Sequence, residues 1–242
     1  MKAQSKWQSN ELATAFLEGV RGAIPAAGLQ LDVMAHIIHS WRPEPQRILD
    51  LGCGDGAVGR FLLNRFPAAQ VIFADFSEPM LAAAKKQLAG QPQALVVKAD
   101  FSSASWLAAV RDHGPFDVVV SGFAIHHQPD QRKKALYAEI FSLLENDGLF
   151  LNLEHVAPAG PAAERLFDEY FIDHLHRFHQ RQDPTKRRDE IAHAFYHRPD
   201  KAENILAPVA EQCAWLRRSG FDDVDCFFKI FDLALFGGRR KA

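Results

Sequence analysis

Short apolar runs alternate with longer segments of helical spacing along most of the chain. Five runs are rich in β-branched and aromatic side chains and lack polar alternation: residues 47–51, 71–75, 95–100, 116–121 and 149–155. Such runs are typical of strands that are buried on both faces of a sheet. Because strands separated by helices pair in parallel through right-handed crossovers, the pattern predicts an α/β fold around a parallel sheet.

Two other regions are predominantly helical in pattern. Residues 11–40 predict two helices broken at Pro25, and residues 162–182 predict one long helix with a second around residues 191–195. We expect the first region to cap the sheet and the second to fold over its edge as a lid.

The end of the chain changes pattern again. A helix over residues 208–219 ends at Gly220, and two aromatic, apolar strands follow at 224–229 and 231–237. They predict a buried antiparallel hairpin at a sheet edge. The chain is therefore expected to form one domain with four parts: a helical cap (1–42), an α/β core (43–155), a helical lid (156–208), and a terminal helix with hairpin (209–242).

Composition narrows the class of protein. At 242 residues with 48% hydrophobic side chains, the chain suits one domain with an ample core. The net charge of −2 gives no electrostatic argument for binding nucleic acid or an anionic membrane, and no apolar run approaches the ~20 residues that span a bilayer. The odd set of Cys53, Cys213 and Cys226 lacks metal-ligand spacing, so we expect free thiols and a cytoplasmic location.

The first strand leads into three glycines at alternate positions, Gly52, Gly54 and Gly56, just before a helix. Such a turn lets the backbone bend sharply and lets a ligand approach closely. Residues 54–59 also match the dinucleotide pattern G-x-G-x-x-G. Asp50 distinguishes a dinucleotide site from a site for a cationic ligand. A carboxylate at the turn would repel a pyrophosphate but favour an ammonium or sulfonium group.

Acidic residues close the next two strands. Asp75 lies about twenty residues past the turn, where a carboxylate accepts hydrogen bonds from ribose hydroxyls. Asp100, followed by Phe101, ends the third strand in the same way. Either aspartate alone is explained as a helix cap or turn residue, whereas two in register with the glycine turn favour a ligand.

The segment Ile48-Leu49-Asp50-Leu51-Gly52-Cys53-Gly54-Asp55-Gly56 resembles the first motif of class I S-adenosylmethionine-dependent methyltransferases. The resemblance implies a Rossmann-like methyltransferase fold: a mostly parallel seven-stranded sheet with a C-terminal antiparallel hairpin. It also implies S-adenosyl-L-methionine as cofactor, with S-adenosyl-L-homocysteine as product.

The same resemblance implies which residues contact the cofactor. Asp50, Gly52 and Gly54 would hold the methionine part, Asp75 the ribose, and Asp100 with Phe101 the adenine. The complete expected set is Arg21, Asp50, Gly52, Cys53, Gly54, Asp75, Phe76, Met80, Asp100, Phe101, Ser121 and Phe123. Phe76 and Met80 would form an apolar shelf for the adenine ring, although an aromatic residue or methionine at the start of a helix is more often an ordinary core residue.

Methyl transfer from a sulfonium is an in-line displacement that requires neither metal nor covalent intermediate. Where the acceptor must lose a proton, His126, His127 and His155 are the candidate bases, since they lie at or near strand ends. Loop histidines also commonly bond only to backbone. The spacing of His174, His176 and His179 does not stack ligands on one helix face, so no metal site is expected.

A second, looser resemblance is to bacterial carboxy-S-adenosylmethionine synthases, which act in tRNA wobble-uridine modification. It is carried by residues 16–25 and by Arg198 with residues 203–206, and it implies substrate contacts from Tyr196 and Arg198. The glycine turn, however, has the ordinary methyltransferase form.

These observations put methyl transfer to a small-molecule acceptor first. The alternatives are carboxy-S-adenosylmethionine synthesis or tRNA-modifying methylation. More distant rivals are a nicotinamide oxidoreductase and a non-catalytic nucleotide-binding module. No nucleic-acid or membrane partner is expected, and the acceptor atom and the oligomeric state, including a homodimer, stay open.

Overall fold

The computed structural model describes residues 23–241, and within that range seven strands form a single sheet. They are β1 (Arg47–Leu51), β2 (Gln70–Asp75), β3 (Ala94–Lys98), β4 (Phe116–Gly122), β5 (Leu144–His155), β6 (Asp222–Ile230) and β7 (Leu233–Arg239). The strand order is β3-β2-β1-β4-β5-β7-β6, and only β7 runs antiparallel to its neighbours. The predicted fold class, a Rossmann-like sheet with a C-terminal antiparallel hairpin, is confirmed.

Eight α-helices lie in the same part of the chain. They are α1 (Ala27–Trp41), α2 (Ala57–Arg65), α3 (Glu78–Gln87), α4 (Leu107–Val110), α5 (Asp130–Leu143), α6 (Pro161–Gln180), α7 (Arg188–Tyr196) and α8 (Val209–Arg218). None of these helices has the length and apolar character that crossing a bilayer would require. The predicted helix before Pro25 and the predicted contact Arg21 fall outside the described residues.

Helices cover both faces of the sheet because successive strand residues point to opposite sides. Leu49 and Val119 pack with side chains of α5 and α8, whereas Ile48 and Val118 pack with α1 and α2. β1, β2 and β4 are therefore buried on both sides, which explains why their sequences lack polar alternation, whereas the edge strand β3 is partly exposed.

The structure differs from the sequence prediction at the start of β5. The sequence predicts a strand over residues 149–155, but β5 begins at Leu144, and its pairing with β4 shifts register between Phe116 and Val118. Asp147 adopts a φ of 60°, and its N–H donates to the carbonyl of Arg240 at 2.7 Å. Backbone pairing with Arg240 thus holds the irregular first residues of β5 in place.

Helices α6 and α7 share a small core of their own. Phe171 and Leu175 of α6 pack with Phe195 of α7 and with Leu233 at the start of β7. Backbone hydrogen bonds from Val156 to Asp232 (2.8 Å) and from Ala157 to Ala207 (3.0 Å) join the segment's two ends to the sheet. The helices are therefore held over the carboxyl end of β5.

Candidate functional site

A cavity of about 660 Å³ opens at the carboxyl ends of β1, β2 and β4, a size that suits a small-molecule ligand. The glycine turn and the start of α2 form one wall of the cavity. The segments that follow β2 and β3 form a second wall, and α1 together with the lid forms the third. Ligands of open α/β sheets bind at this end of the strands, where the order of strands reverses on either side of β1.

The glycine turn forms the floor of the cavity. Gly52 and Gly54 have φ angles of 70° and 55°, in the left-handed region that disfavours other residues. The N–H groups of Gly52 and Cys53 both donate to the carbonyl of Ala74, at 2.7 and 3.1 Å. A Cβ on Gly52 would lie 2.3 Å from Cβ of Ala124, so the turn is packed tightly against the loop that follows β4.

Asp75 connects this turn to the next helix. Its Oδ2 accepts from the Gly54 N–H at 2.9 Å, and its Oδ1 accepts from the Ser77 N–H at 2.8 Å. Burial raises the pKa of the Asp75 carboxyl, and the backbone hydrogen bonds oppose that shift. Asp75 lines the cavity although only 6% of its surface is exposed.

The predicted adenine side of the site also faces the cavity. Phe76, Met80, Asp100 and Phe101 all line it. Asp100 is exposed, and its Oδ1 accepts from the Ser102 N–H at 2.9 Å. Cys53 and Phe123 lie on the wall too, so the structure brings most of the predicted contacts together.

Asp50 requires a correction, because the structure does not bring it to the cavity wall. Its side chain is fully buried beneath the turn, and Oδ2 accepts from the Gly59 N–H in α2 at 2.8 Å. Asp50 shares the face of β1 that carries Ile48, so its side chain points toward α2. The expected direct contact with a cationic ligand therefore becomes a hydrogen bond that holds the helix.

Three other predicted residues also lie away from the wall. Ser121 is fully buried behind it. Tyr196 is 40% exposed, and its Oη donates to Glu169 at 3.5 Å. Arg198 donates from Nη1 to the Phe195 carbonyl at 2.8 Å, with its guanidinium 4.2 Å from that ring's centroid.

The three predicted histidines form one cluster around Glu154, which the sequence places beside His155 at the end of the fifth strand. Nδ1 of His126 lies 2.6 Å from Oε1 of Glu154, and both side chains are buried. The His126 ring centroid is 3.9 Å from that of His127 and 6.0 Å from that of His155. Of the three histidines, only His127 lines the cavity. The one sequence signal for Glu154 was an acid closing an otherwise apolar strand.

Burial controls the charges in this cluster. It lowers the pKa of His126 to about 3, with a further contribution from Lys133, and that of His155 to about 3. It lowers the pKa of His127 to about 4 and raises that of Glu154 to about 7. The histidines are therefore neutral at neutral pH.

The free energy of unfolding is expected to rise by about 1 kcal/mol between pH 5.5 and 6.5. The three histidines are neutral in the folded chain but protonated in the unfolded chain below about pH 6.5, so unfolding takes up protons. Glu154 and Asp232, with pKa values raised to about 7 and 6, oppose this because their folded-state stabilisation fades as pH rises. Urea titrations at the two pH values measure the difference.

The variant Glu154→Gln is the control for that prediction. It removes one opposing group, so the rise should become steeper by about 1 kcal/mol. A pH-independent free energy of unfolding in both proteins would contradict the assignment of buried neutral histidines.

The end of the lid is fastened to the histidine loop. The Ile205 N–H donates to the His126 carbonyl at 2.9 Å, and His127 Nδ1 contacts the Glu203 carbonyl at 3.3 Å. Lys133 of α5 is buried, and its Nζ donates to Asp130 at 2.9 Å and to the Ile205 carbonyl. Residues 202–205 are thereby held as part of the cavity wall.

Gln30 and Glu203 are among the wall residues that were not predicted as contacts from the sequence. Gln30 of α1 is fully buried, and its Nε2 donates to the Pro25 carbonyl at 2.9 Å. A polar residue within the apolar stripe of α1 was the available signal. Glu203 lines the opposite side and belongs to the segment 203–206 that carries the looser resemblance.

Comparison with known proteins agrees with this architecture. Residues 48–148 match the family model described as a methyltransferase domain. The chain is 30% identical over 195 residues to trans-aconitate 2-methyltransferase of Variovorax paradoxus (strain S110). This alignment covers 74% of this chain and 69% of that enzyme. It is 22% identical over 228 residues to carboxy-S-adenosyl-L-methionine synthase of Nautilia profundicola, covering 93% of this chain and 91% of that enzyme.

A solved structure shows the same fold. An O-methyltransferase family protein from Burkholderia thailandensis superimposes with a TM-score of 0.67 at 16% identity. The match covers 95% of this chain but only 60% of that one.

Proposed function

The chain belongs to the S-adenosylmethionine-dependent methyltransferases, and on that premise we propose that it methylates a small molecule bound between the glycine turn and the lid. The observation that carries the proposal is the pairing of the left-handed glycine turn with Asp75 on one cavity wall.

The residues present fit an adenosyl cofactor. Gly54 leaves open space at the turn, where Met80 Sδ, at 4.0 Å, is the one atom in the described part of the chain that a Cβ would meet. Asp75 offers a carboxylate for ribose hydroxyls, and Phe76 with Phe101 offers flat apolar surface for a purine. When bound there, S-adenosylmethionine would supply a methyl group on a cationic sulfur, which a nucleophile displaces in line.

The chain's own contribution is to orient the reactants and to exclude water. Val58, Phe123, Leu153 and Ile205 give the cavity its apolar side. The lid bonds made by Ile205 and Lys133 hold that side in place. A dry, fixed cavity brings donor and acceptor together without solvent between them. Asp50 would act indirectly, by holding the Gly59 N–H of α2 below the turn.

A cytoplasmic location is also part of the proposal. Cys213 and Cys226 are free thiols in the structure, as suits a reducing compartment. Burial raises the pKa of the Cys213 thiol to about 11, so it is a poor nucleophile.

Carboxy-S-adenosylmethionine synthesis is the second candidate. It is supported by the relative from Nautilia profundicola, whose similarity extends over nearly the full length of both chains. The placement of Arg198 on Phe195 rather than on the cavity wall does not favour it.

One experiment separates these candidates. Mass spectrometry of the compound that copurifies with the protein should find S-adenosylmethionine or S-adenosylhomocysteine, whereas a carboxymethyl sulfonium would favour the second candidate. Calorimetric titration should show binding of S-adenosylhomocysteine but not of NAD. NAD binding with no response to S-adenosylhomocysteine would contradict both candidates.

A further inference from the structure

Glu154, His126 and His127 form a connected path from the buried face of β5 to the cavity wall. We propose that Glu154, acting through His126, is a positioning residue that holds His127 as the proton acceptor for a substrate hydroxyl. This inference rests on the proposed function and adds the class of acceptor: a small, largely apolar molecule whose reactive group is a hydroxyl rather than a carboxylate.

The tautomer of His127 follows from its partner. Nδ1 lies 3.3 Å from the Glu203 carbonyl oxygen, and a carbonyl oxygen can only accept a hydrogen bond. Nδ1 therefore carries the hydrogen, and in the neutral ring Nε2 is the unprotonated nitrogen. Since His127 lines the cavity, the basic nitrogen belongs to a ring that a bound acceptor would contact.

Glu154 fixes the ring behind His127. Its Oε1 lies 2.6 Å from His126 Nδ1 and accepts from the His155 N–H at 3.1 Å. Its Oε2 is buried and has no hydrogen-bond partner among the described residues. A buried carboxylate oxygen without a donor is unfavourable, which suits a group that can hold a proton itself. Its pKa, raised by burial to about 7, is consistent with that role.

Charged or titratable groups from three elements face this cluster. They are Lys133 on α5 with Arg198 and Glu203 on the lid, and the neutral ring of His155 at the end of β5 faces the cluster as well. The two cations disfavour a second positive charge on His126, whereas the carboxylates of Glu154 and Glu203 favour a charge on His127. The proton taken from an acceptor is therefore better held on His127 than on His126.

The cavity wall indicates the class of acceptor. Its described residues include the carboxylates Asp75, Asp100 and Glu203 but no lysine or arginine. A polyanion such as trans-aconitate would be repelled there, and an ionised carboxylate needs no base. A hydroxyl acceptor does need a base, because its proton must leave when its oxygen is methylated. Its oxygen bonds to the methyl carbon, the carbon–sulfur bond breaks with its electron pair left on sulfur, and its proton passes to Nε2 of His127.

Nitrogen NMR of histidine-labelled protein with S-adenosylhomocysteine bound tests the positioning role without turnover. We expect His127 to be protonated at Nδ1 and the hydrogen-bonded proton between His126 and Glu154 to resonate far downfield. Glu154→Gln should lose the downfield signal and shift both rings, whereas the exposed control Glu190→Gln should change neither. A His127 protonated at Nε2, or rings unchanged in Glu154→Gln, overturns the proposal.

Labelled methyl transfer tests the acceptor class. The probes are a 4-alkylphenol, the matching 4-alkylbenzoate and trans-aconitate. Methylation of the phenol gives an ether and methylation of either carboxylate gives an ester, and alkali releases the labelled methyl group only from the ester. We expect transfer to the phenol, reduced about 100-fold or more in His127→Asn, and about 10-fold with an altered pH profile in Glu154→Gln. Transfer to carboxylates alone, or none to the phenol while S-adenosylhomocysteine still binds, overturns the inference. Loss of S-adenosylhomocysteine binding by the unmodified protein would instead overturn the proposed function.

Discussion

Replacing Gly52 with alanine is expected to abolish measurable S-adenosylhomocysteine binding and to lower the free energy of unfolding by about 4 kcal/mol. The left-handed backbone accounts for roughly 1–2 kcal/mol of that loss. The remainder comes from overpacking, because the new Cβ would lie 2.3 Å from Ala124 Cβ and 3.2 Å from the Phe101 ring. Calorimetry with S-adenosylhomocysteine and urea denaturation measure the two effects.

The chain offers a matched control for this variant. Gly90 has a similar φ of 82°, but a Cβ there would meet no atom of the described residues 23–241 within 4 Å. Gly90→Ala should therefore cost only about 1 kcal/mol of stability and leave binding unchanged. Adding Ala124→Gly to Gly52→Ala removes the clashing atom and should restore part of the affinity. Normal binding by Gly52→Ala alone would show that the turn is not part of the site.

Asp75→Ala is expected to weaken S-adenosylhomocysteine binding by about 3 kcal/mol, or roughly 100-fold or more. The substitution removes a carboxylate from the cavity wall and leaves the Gly54 and Ser77 N–H groups without their acceptor. The glycine turn and the start of α3 then lose the group that connects them. Competitive binding titration on folded protein measures the loss.

Two further variants make that result interpretable. Asp112→Ala removes an exposed aspartate outside the cavity wall and should leave affinity unchanged. Asp100→Ala should cost about 1 kcal/mol, since its exposed carboxylate holds only one ligand hydrogen bond in the proposed site. Unaltered affinity in Asp75→Ala would remove Asp75 from the ligand site.

The amino-acid sequence by itself determined the strand and helix alternation, and with it the sheet edge where ligands bind. Gly52, Gly54, Asp75 and Asp100 were identifiable because each follows or ends a predicted strand, the glycines as a turn and the aspartates as the last residue. Because parallel strands have their carboxyl ends at the same side of the sheet, these residues lie together there regardless of the exact positions of the helices.

Only the tertiary structure decided which side chains reach the cavity. Asp50 on β1 and Ser121 on β4 lie close in sequence to Gly52 and Gly122, which line the cavity, but both side chains are fully buried away from the wall. The pairing of Glu154 with His126, 28 residues away in the chain and 2.6 Å apart, is visible only in the tertiary structure. Contacts at that separation depend on how strands and loops pack, and no local pattern encodes them.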